Sequence, residues 1–361
     1  MKRLIFFANN MQIGGLERAL LNLLNALVEK GYLITLVLEK NQGDLLPVLD
    51  SRISVQEYRL SRIGFSPLRR AVNLLHRVFW FLRYHNRFDF SCAYCTYSVI
   101  GSVLAKYASR NCALYVHSNY DTNQLATEDM HAFFHQLGIE SFSKIIFVSN
   151  ESRTSFLREF PALAPHCTVI NNLLDIDRIK AAAKQPVFFP SVSSHPLFIF
   201  VGRLEQSSKR FDRLFQAFVK ATATRPEMRL WIVGDGKDKA FCQALVHTLN
   251  LENQVVFVGA VDNPYPYMSA ADCLLLSSDY EGFPVVYHEA LLLGLNIIGT
   301  VSVSAGNLEI SEYAEIVDKS ADALADAMLH YKPHKLPEPE FDFAAYNKYN
   351  LEQLATLIAH C

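Results

Sequence analysis

The run Ser277-Ser278-Asp279-Tyr280-Glu281-Gly282-Phe283-Pro284-Val285-Val286-Tyr287-His288-Glu289-Ala290 carries two carboxylates, Glu281 and Glu289, on either side of a proline. Pro284 suits a first helical position and Gly294 a helix stop, so Glu281 falls in a loop and Glu289 inside a helix. Such a helix turns its free N–H groups toward the loop, which favours phosphate and other anions. Glu289 shares its helix face with Val285, Val286, Leu292 and Leu293, all apolar. A carboxylate on an apolar stripe is costly unless something hydrogen-bonds it. The two vicinal hydroxyls of a ribose would do so; a backbone amide or a buried ion pair would serve as well.

Holding these groups requires strands that end beside them. Leu4–Ala8 reads as a strand, Asn9 to Gly15 as a loop, and Leu16, Leu20, Leu23, Leu24 and Leu27 as a helical stripe stopped by Gly31. Leu33–Leu38 follows, which makes a βαβ unit and implies a parallel sheet. Further strands are expected at Leu114–His117, Ile145–Ser149 and Thr168–Ile170. From about Asp175 to Pro196 the chain turns polar, then Pro- and Ser-rich, and reads as a linker. Beyond it, strands at Leu197–Val201, Leu230–Val233, Val255–Val258, Cys273–Leu276 and Ile297–Ile298 alternate with helices. That alternation predicts an α/β fold with a doubly wound parallel sheet, and ligands of such sheets sit beyond the carboxyl ends of strands. The loops after Val201, Val233 and Leu276 are therefore where chemistry is expected. The expected domains are 1–175, a linker at 176–196, and 197–340, with a C-terminal helix at about 341–361 that can pack back on the first.

Composition sets the outer limits. A chain of 361 residues has room for about two domains, and 50% apolar with 19% charged residues supports a sizeable core. A net charge of −2 argues against nucleic acid as a partner. No apolar run approaches the roughly 20 residues of a membrane span, and the opening run, Leu4 to Ala8, reads as a strand rather than a leader. The seven cysteines are scattered, and the single C-x-x-C at Cys92 and Cys95 has no second pair nearby, so free thiols in a reducing cytoplasm are expected.

Taken in order, several segments resemble one family. Glu281-Gly282-Phe283-Pro284 followed by Glu289-Ala290, with seven residues between the glutamates, is similar to the E-x7-E signature of retaining GT-B glycosyltransferases. Val201-Gly202-Arg203-Leu204 with Lys209, Val233-Gly234-Asp235-Gly236, Gly14-Gly15 with Glu17-Arg18, and Asn263-Pro264-Tyr265-Pro266-Tyr267-Met268 resemble further segments of glycosyltransferase family 4. The last is similar to bacterial polysaccharide-assembly members. The resemblance implies a GT-B fold, with two Rossmann-like parallel-sheet domains facing across a cleft. It implies that Arg203 and Lys209 neutralise a donor diphosphate, that Glu289 binds ribose, and that Glu281 with the amides of Gly282, Phe283 and Val285 around Pro284 holds the donor sugar. Gly14 and Gly15 would approach the phosphate or acceptor, Gly202 and Gly234 would line the donor site, and His117 would face the sugar.

Each of these residues also has a plainer reading. Arg203 and Lys209 can be surface charges, Gly234-Asp235-Gly236 and Gly14-Gly15 turns, and His117 a structural histidine. Asn296, Tyr287 and the stretch Thr300 to Gly306 depart from the family pattern. The implied reaction moves a hexosyl or N-acetylhexosaminyl group from a nucleotide diphosphate sugar, a UDP-sugar first, to a glycan or polyprenyl-diphosphate-linked acceptor with retention, in cell-surface polysaccharide synthesis. Fixed cations and helix N-terminal amides would stabilise the departing diphosphate, with no cofactor or metal expected. The alternatives are a GT-B nucleotide-sugar epimerase and a catalytically silent nucleotide-sugar-binding subunit. A nicotinamide oxidoreductase would need G-x-G-x-x-G, and Asn10 to Gly15 offers only a glycine pair.

One further stretch stands apart. Between Glu57 and Asp89 there is no acidic residue, yet there are seven arginines: Arg59, Arg62, Arg69, Arg70, Arg77, Arg83 and Arg87. Leu68, Val72, Leu74, Leu75, Val78, Phe79, Trp80, Phe81 and Leu82 lie among them. Such a helix suits an anionic membrane surface, and the expectation is peripheral attachment to the cytoplasmic face. The plainer alternative is that its apolar face packs on the N-terminal sheet.

Overall fold

The computed structural model describes residues 1–58, 66–96, 98–118, 130–188, 196–279, 281, 283–300, 304–305, 308–309, 314–332 and 341–359. The chain forms two compact units, Met1–Leu173 with Asn347–Cys361, and Leu174–Tyr346.

The first unit is built on β1 (Arg3–Ala8), α1 (Gly15–Glu29), β2 (Leu33–Leu38), β3 (Ser54–Glu57), α2 (Ser66–Tyr84), β4 (Phe90–Ala93), α3 (Val99–Ala108), β5 (Cys112–Val116), α4 (Met130–Leu137), β6 (Lys144–Phe147), α5 (Asn150–Glu159) and β7 (Cys167–Val169). Its seven strands lie in the order β3-β2-β1-β4-β5-β6-β7, all neighbours parallel. The order reverses between β1 and β4, so the loops leaving those two strands flank the switch point, where doubly wound sheets bind ligands. Helix α1 covers the sheet with Leu20, Leu24 and Leu27, all fully buried, each contributing about 1.5–3 kcal/mol of burial free energy. It stops where Gly31, at φ 85°, takes a left-handed turn.

The second unit comprises α6 (Ile176–Ala182), β8 (Leu197–Val201), α7 (Gln206–Lys209), α8 (Phe211–Thr224), β9 (Arg229–Val233), α9 (Lys239–Thr248), β10 (Val255–Gly259), α10 (Tyr265–Ala270), β11 (Cys273–Leu276), α11 (Val285–Leu292), β12 (Asn296–Gly299), the short pair β13 (Ser304–Ala305) and β14 (Leu308–Glu309), β15 (Ala314–Ile316) and α12 (Ala321–His330). Helix α13 (Phe343–Ala359) closes the chain, its residues from Asn347 onward in the first unit. Six parallel strands run β10-β9-β8-β11-β12-β15, with the reversal between β8 and β11. Both units are thus Rossmann-like parallel sheets, as the alternating pattern predicts.

Residues 176–196 read as a linker in the sequence, yet α6 folds with the second unit. Asp175 caps it, accepting from Arg178 N at 3.2 Å. Its far end is held by Asn263 Nδ2, which donates to Ala182 O at 2.8 Å and to Gln185 Oε1 at 2.9 Å. Six cysteines, Cys92, Cys95, Cys112, Cys167, Cys242 and Cys273, are free thiols, and Cys361 lies outside the described residues. No helix among the described residues is long and apolar enough to cross a membrane.

Candidate functional site

In the second unit the loops after β8, β9 and β11 meet beyond the strand ends. Leu204 N donates to Asp235 O at 3.0 Å and Gly202 N to Val233 O at 3.0 Å, so two of the loops run backbone to backbone. The approach is too close for side chains. A Cβ on Gly234, at φ 141°, would lie 1.9 Å from Gly202 O, and one on Gly236 2.3 Å from Leu204 O. Gly234 is thereby required by the fold itself. Arg203 emerges from this paired backbone exposed, its guanidinium without a hydrogen bond or ion pair among the described residues.

Lys209 ends α7, and its position is set by the corner that follows. Arg210 turns the chain in a left-handed conformation, φ 54°, and Ser277 Oγ donates to Lys209 O at 2.7 Å and to Arg210 O at 3.1 Å. Asp279 accepts from Arg210 at 2.7 Å and from Arg213 at 2.6 Å, while Arg213 also donates to Ser277 O at 2.8 Å. Burial pushes the Asp279 carboxyl up, but the two guanidiniums outweigh it and hold it below the usual range. Residues 277–279 are thereby bolted to α8. Arg213, a cation on the helix face that otherwise fills the core, is a residue that apolar periodicity alone misses. The result is an ion pair between Lys209 and Glu281, with Ser278 Oγ donating to the same carboxylate oxygen at 2.7 Å.

Glu289 is buried, as its stripe predicts, and a tyrosine is among its partners: Tyr265 Oη donates to Glu289 Oε1 at 2.8 Å. Arg178 of α6 donates to the same Tyr265 oxygen at 3.4 Å. Neither Tyr265 nor Arg178 was visible as part of this cluster in the sequence. Pro284 precedes α11 and Val285 opens it, so the first amides of that helix face the loop. The Phe283 ring stacks on His288, 4.7 Å between centroids. Gly282 lies outside the described residues.

The departures from the family pattern are accommodated locally. Tyr287 is fully buried, and a Cβ on Gly299 would meet its hydroxyl at 2.2 Å, so the larger side chain uses space a glycine leaves. Asn296 donates to Tyr331 Oη at 3.2 Å. Thr300 donates through Oγ1 to Ser278 O at 2.5 Å; 301–303 and Gly306 lie outside the described residues.

In the first unit the loop after β1 is braced on a second loop. Met11 N donates to Gln42 O and Leu45 N to Met11 O, each at 3.0 Å, and Gly43 permits the approach. Gly14 precedes α1 with an extended backbone, and a Cβ on Gly15 would meet nothing within 4 Å. His117 follows β5, its ring 4.6 Å from Tyr94 and 5.4 Å from Tyr115. Burial lowers its pKa to about 3, so the imidazole is neutral, and its Nε2 is buried with no hydrogen-bond partner among the described residues. Its neighbour Asn119 is outside the described residues.

Helix α2 turns inward only Val72, Asn73, Trp80 and Tyr84 beyond its first residue, and Trp80 stacks on Tyr84 and meets Tyr58 edge-on. Leu68, Leu74, Leu75, Val78, Phe79, Phe81 and Leu82 are exposed, as are Arg69, Arg70, Arg77, Arg83 and Arg87. The apolar residues therefore exceed what packing on the sheet uses; Arg59 and Arg62 lie outside the described residues.

Comparisons with known proteins follow the same division. The family described as "Glycosyltransferase Family 4" matches residues 13–178, and "Glycosyl transferases group 1" matches 183–334. The lipopolysaccharide 1,6-galactosyltransferase of Salmonella typhimurium is 32% identical over 120 residues, 32% of this chain and 33% of that protein. The N-acetylgalactosamine-N,N'-diacetylbacillosaminyl-diphospho-undecaprenol 4-alpha-N-acetylgalactosaminyltransferase of Campylobacter jejuni is 27% identical over 144 residues, 40% of this chain and 37% of that one. The match thus spans little more than a third of these relatives' own lengths. The crystal structure of Anabaena HepE in complex with UDP and glucose superposes with a TM-score of 0.75 at 17% identity, over 99% of this chain and 100% of that one, a likeness that gives the GT-B fold. Each unit carries its own family match, and between them they take in most of the sequence: the chain belongs to the group 1, family 4 glycosyltransferases.

Proposed function

We propose that this protein transfers a hexosyl or N-acetylhexosaminyl group, with retention, from a UDP-sugar to a glycan or polyprenyl-diphosphate-linked acceptor in cell-surface polysaccharide synthesis. The observation that carries the reading is the group of charges at the second unit's switch point: Arg203, unpaired among the described residues, the Lys209–Glu281 pair and the buried Glu289. The relatives' names support it, since one transfers galactose in lipopolysaccharide and another acts on a diphospho-undecaprenol substrate. The UDP bound to HepE supports the choice of nucleotide.

In this reading Glu289 accepts from the ribose hydroxyls and Glu281 from the donor sugar. Arg203 and Lys209 hold the diphosphate together with the amides at the start of α11. As the anomeric bond breaks, the leaving diphosphate gains charge, and fixed cations stabilise that state more than the ground state. Lys209 leaves or shares its pairing with Glu281 when donor arrives. His117, neutral, offers Nε2 to a sugar hydroxyl, and Gly14 and Gly15 allow close approach of phosphate or acceptor. The cations take the place of a metal or cofactor, so transfer should persist in chelator.

The test is thermal shift with nucleotides and nucleotide sugars, followed by NMR of the product's anomeric proton. A UDP-sugar at 100 times its dissociation constant should add about 2.7 kcal/mol of stability. Stabilisation by NAD with no response to any nucleotide sugar would overturn the reading. A product formed without acceptor would indicate the epimerase, and binding without turnover a silent subunit.

The exposed face of α2 favours an acceptor held in a bilayer. Its apolar side chains, and its arginines without an ion pair among the described residues, suit an anionic lipid surface on the cytoplasmic side, at about 1 kcal/mol per arginine. Flotation with anionic liposomes should require anionic lipid, weaken with salt and fall when Arg69, Arg70 and Arg77 become glutamate. Failure to bind at low salt would point to a soluble acceptor.

A further inference from the structure

The two-glutamate motif does not explain how the Glu289 carboxylate is oriented. It is buried in a helix whose own side chains around it are apolar, and a carboxylate there would turn about its last torsion unless a donor fixes it. One donor is Tyr265, 1% exposed, whose hydroxyl gives its proton to Oε1 at 2.8 Å. That direction is itself enforced. Arg178 Nη2, which can only donate, approaches the same hydroxyl oxygen at 3.4 Å, so the tyrosine proton is left for Glu289. The guanidinium carbon lies 5.6 Å from the Tyr265 ring centroid, and Arg178 Nε donates to Asp175 Oδ2 at 3.1 Å. Asn263 fixes the other end: its Oδ1 accepts from Tyr265 N at 3.2 Å while its amide holds the end of α6.

We infer that Tyr265, backed by Arg178, is a positioning residue that turns the Glu289 carboxylate toward a ribose, so that discrimination between ribose and deoxyribose in this site depends on two residues outside the glutamate motif. The inference rests on Glu289 as the ribose ligand. With Oε1 engaged by the tyrosine, the plane of the carboxylate is fixed for the vicinal hydroxyls it is to meet. A tyrosine that only filled space would leave that selectivity unchanged when its hydroxyl is removed.

The experiment is calorimetric titration of the full chain with UDP and with 2′-deoxy-UDP. The wild-type protein should prefer UDP by at least about tenfold. Tyr265→Phe should weaken UDP roughly five- to twentyfold while changing 2′-deoxy-UDP little, so that the ratio falls toward one. Arg178→Met, at a side chain about one-third exposed, should shift the ratio the same way by a smaller factor and supplies the readout if Tyr265→Phe does not fold. Glu289→Gln separates the two levels of the argument. If it abolishes ribose preference while both other variants keep the wild-type ratio, the positioning role is overturned and Glu289 remains the ribose ligand. If Glu289→Gln leaves both affinities unchanged, Glu289 does not bind ribose and the inference falls with it.

Discussion

A methyl group on Gly234 would lie 1.9 Å from a backbone oxygen, whereas one on Gly15 would meet nothing within 4 Å. Both glycines follow the carboxyl end of a strand, so the contrast separates two reasons for the same residue. Polar groups divide along the same line. In the second unit Lys209 has Glu281, Glu289 has Tyr265 and Asp279 has two arginines. In the first, His117 Nε2 is buried without a hydrogen-bond partner among the described residues, and a Cβ on Gly15 would meet open space. Charged groups at the second unit's site are largely paired within the chain, while Arg203 is not paired among the described residues. The first unit holds an unmet polar atom and free space that the fold does not account for.

The largest expected effect breaks this comparison at Arg203. Arg203→Ala and Lys209→Ala each remove a charge-assisted contact worth roughly 1.5–3 kcal/mol, so each should lower transfer at least about tenfold, and the double variant at least about a hundredfold. Folding should survive, because Arg203 is exposed and Glu281 keeps Ser278 Oγ as a donor when Lys209 is removed. Steady-state kinetics with a UDP-sugar checks this; normal turnover in the double variant would show that the diphosphate is held elsewhere.

Much of this arrangement was legible in the sequence, for a physical reason. Leu4–Ala8, Leu33–Leu38 and Leu197–Val201 are near-continuous apolar runs, as strands covered on both faces must be, and they lead to the loops that matter. Strand β4, the neighbour of β1 at the switch point, was not legible. Ser91 interrupts its run, and only the fold shows that its hydroxyl donates to Ala105 O of α3 at 2.6 Å. Arg178 and Tyr265 were hidden likewise. Residue 178 lies in a polar stretch that looks like a linker, and its partner stands 87 residues further on. The departures at Tyr287 and Asn296 were visible as oddities, but their reasons, Gly299 and Tyr331, are contacts no local pattern encodes.

The next effect is on stability. Gly234→Ala adds a methyl group against Gly202 O and forces a non-glycine residue to φ 141°, which should cost about 2–4 kcal/mol in chemical denaturation. A fully stable Gly234→Ala protein would mean that the two loops are not packed backbone to backbone.

Acid sharpens the comparison between two histidines, one in each unit. Burial lowers His117 and His288 alike to a pKa of about 3, against about 6.5 in an unfolded chain. The folded protein therefore binds fewer protons than the unfolded chain between these values. The stabilising contribution is full above about pH 6.5 and is lost as pH falls toward 3, at about 1.4 kcal/mol per unit for each histidine. At pH 5 that is on the order of 2 kcal/mol each. His288 packs against Phe283 and Tyr346, so His288→Phe should flatten the acid limb and keep transfer. His117→Phe should flatten it equally and lose transfer. Denaturation at pH 7 and pH 5, with activity at pH 7, reads both; loss of transfer in neither would leave His117 a structural residue.

The smallest effect is at Gly15. It opens α1, has open space where a Cβ would stand, and requires no left-handed backbone. Nothing in the chain prevents alanine there, and alanine restricts the unfolded chain more than glycine does. Gly15→Ala should therefore leave stability unchanged or raise it by up to about 1 kcal/mol. If a phosphate or acceptor approaches this helix N-terminus, the same methyl group occupies the space it needs, and transfer should fall severalfold as KM rises. The two readouts move in opposite directions only if the glycine is kept for something the chain binds. A variant that is both more stable and fully active would make Gly14-Gly15 an ordinary strand-to-helix turn.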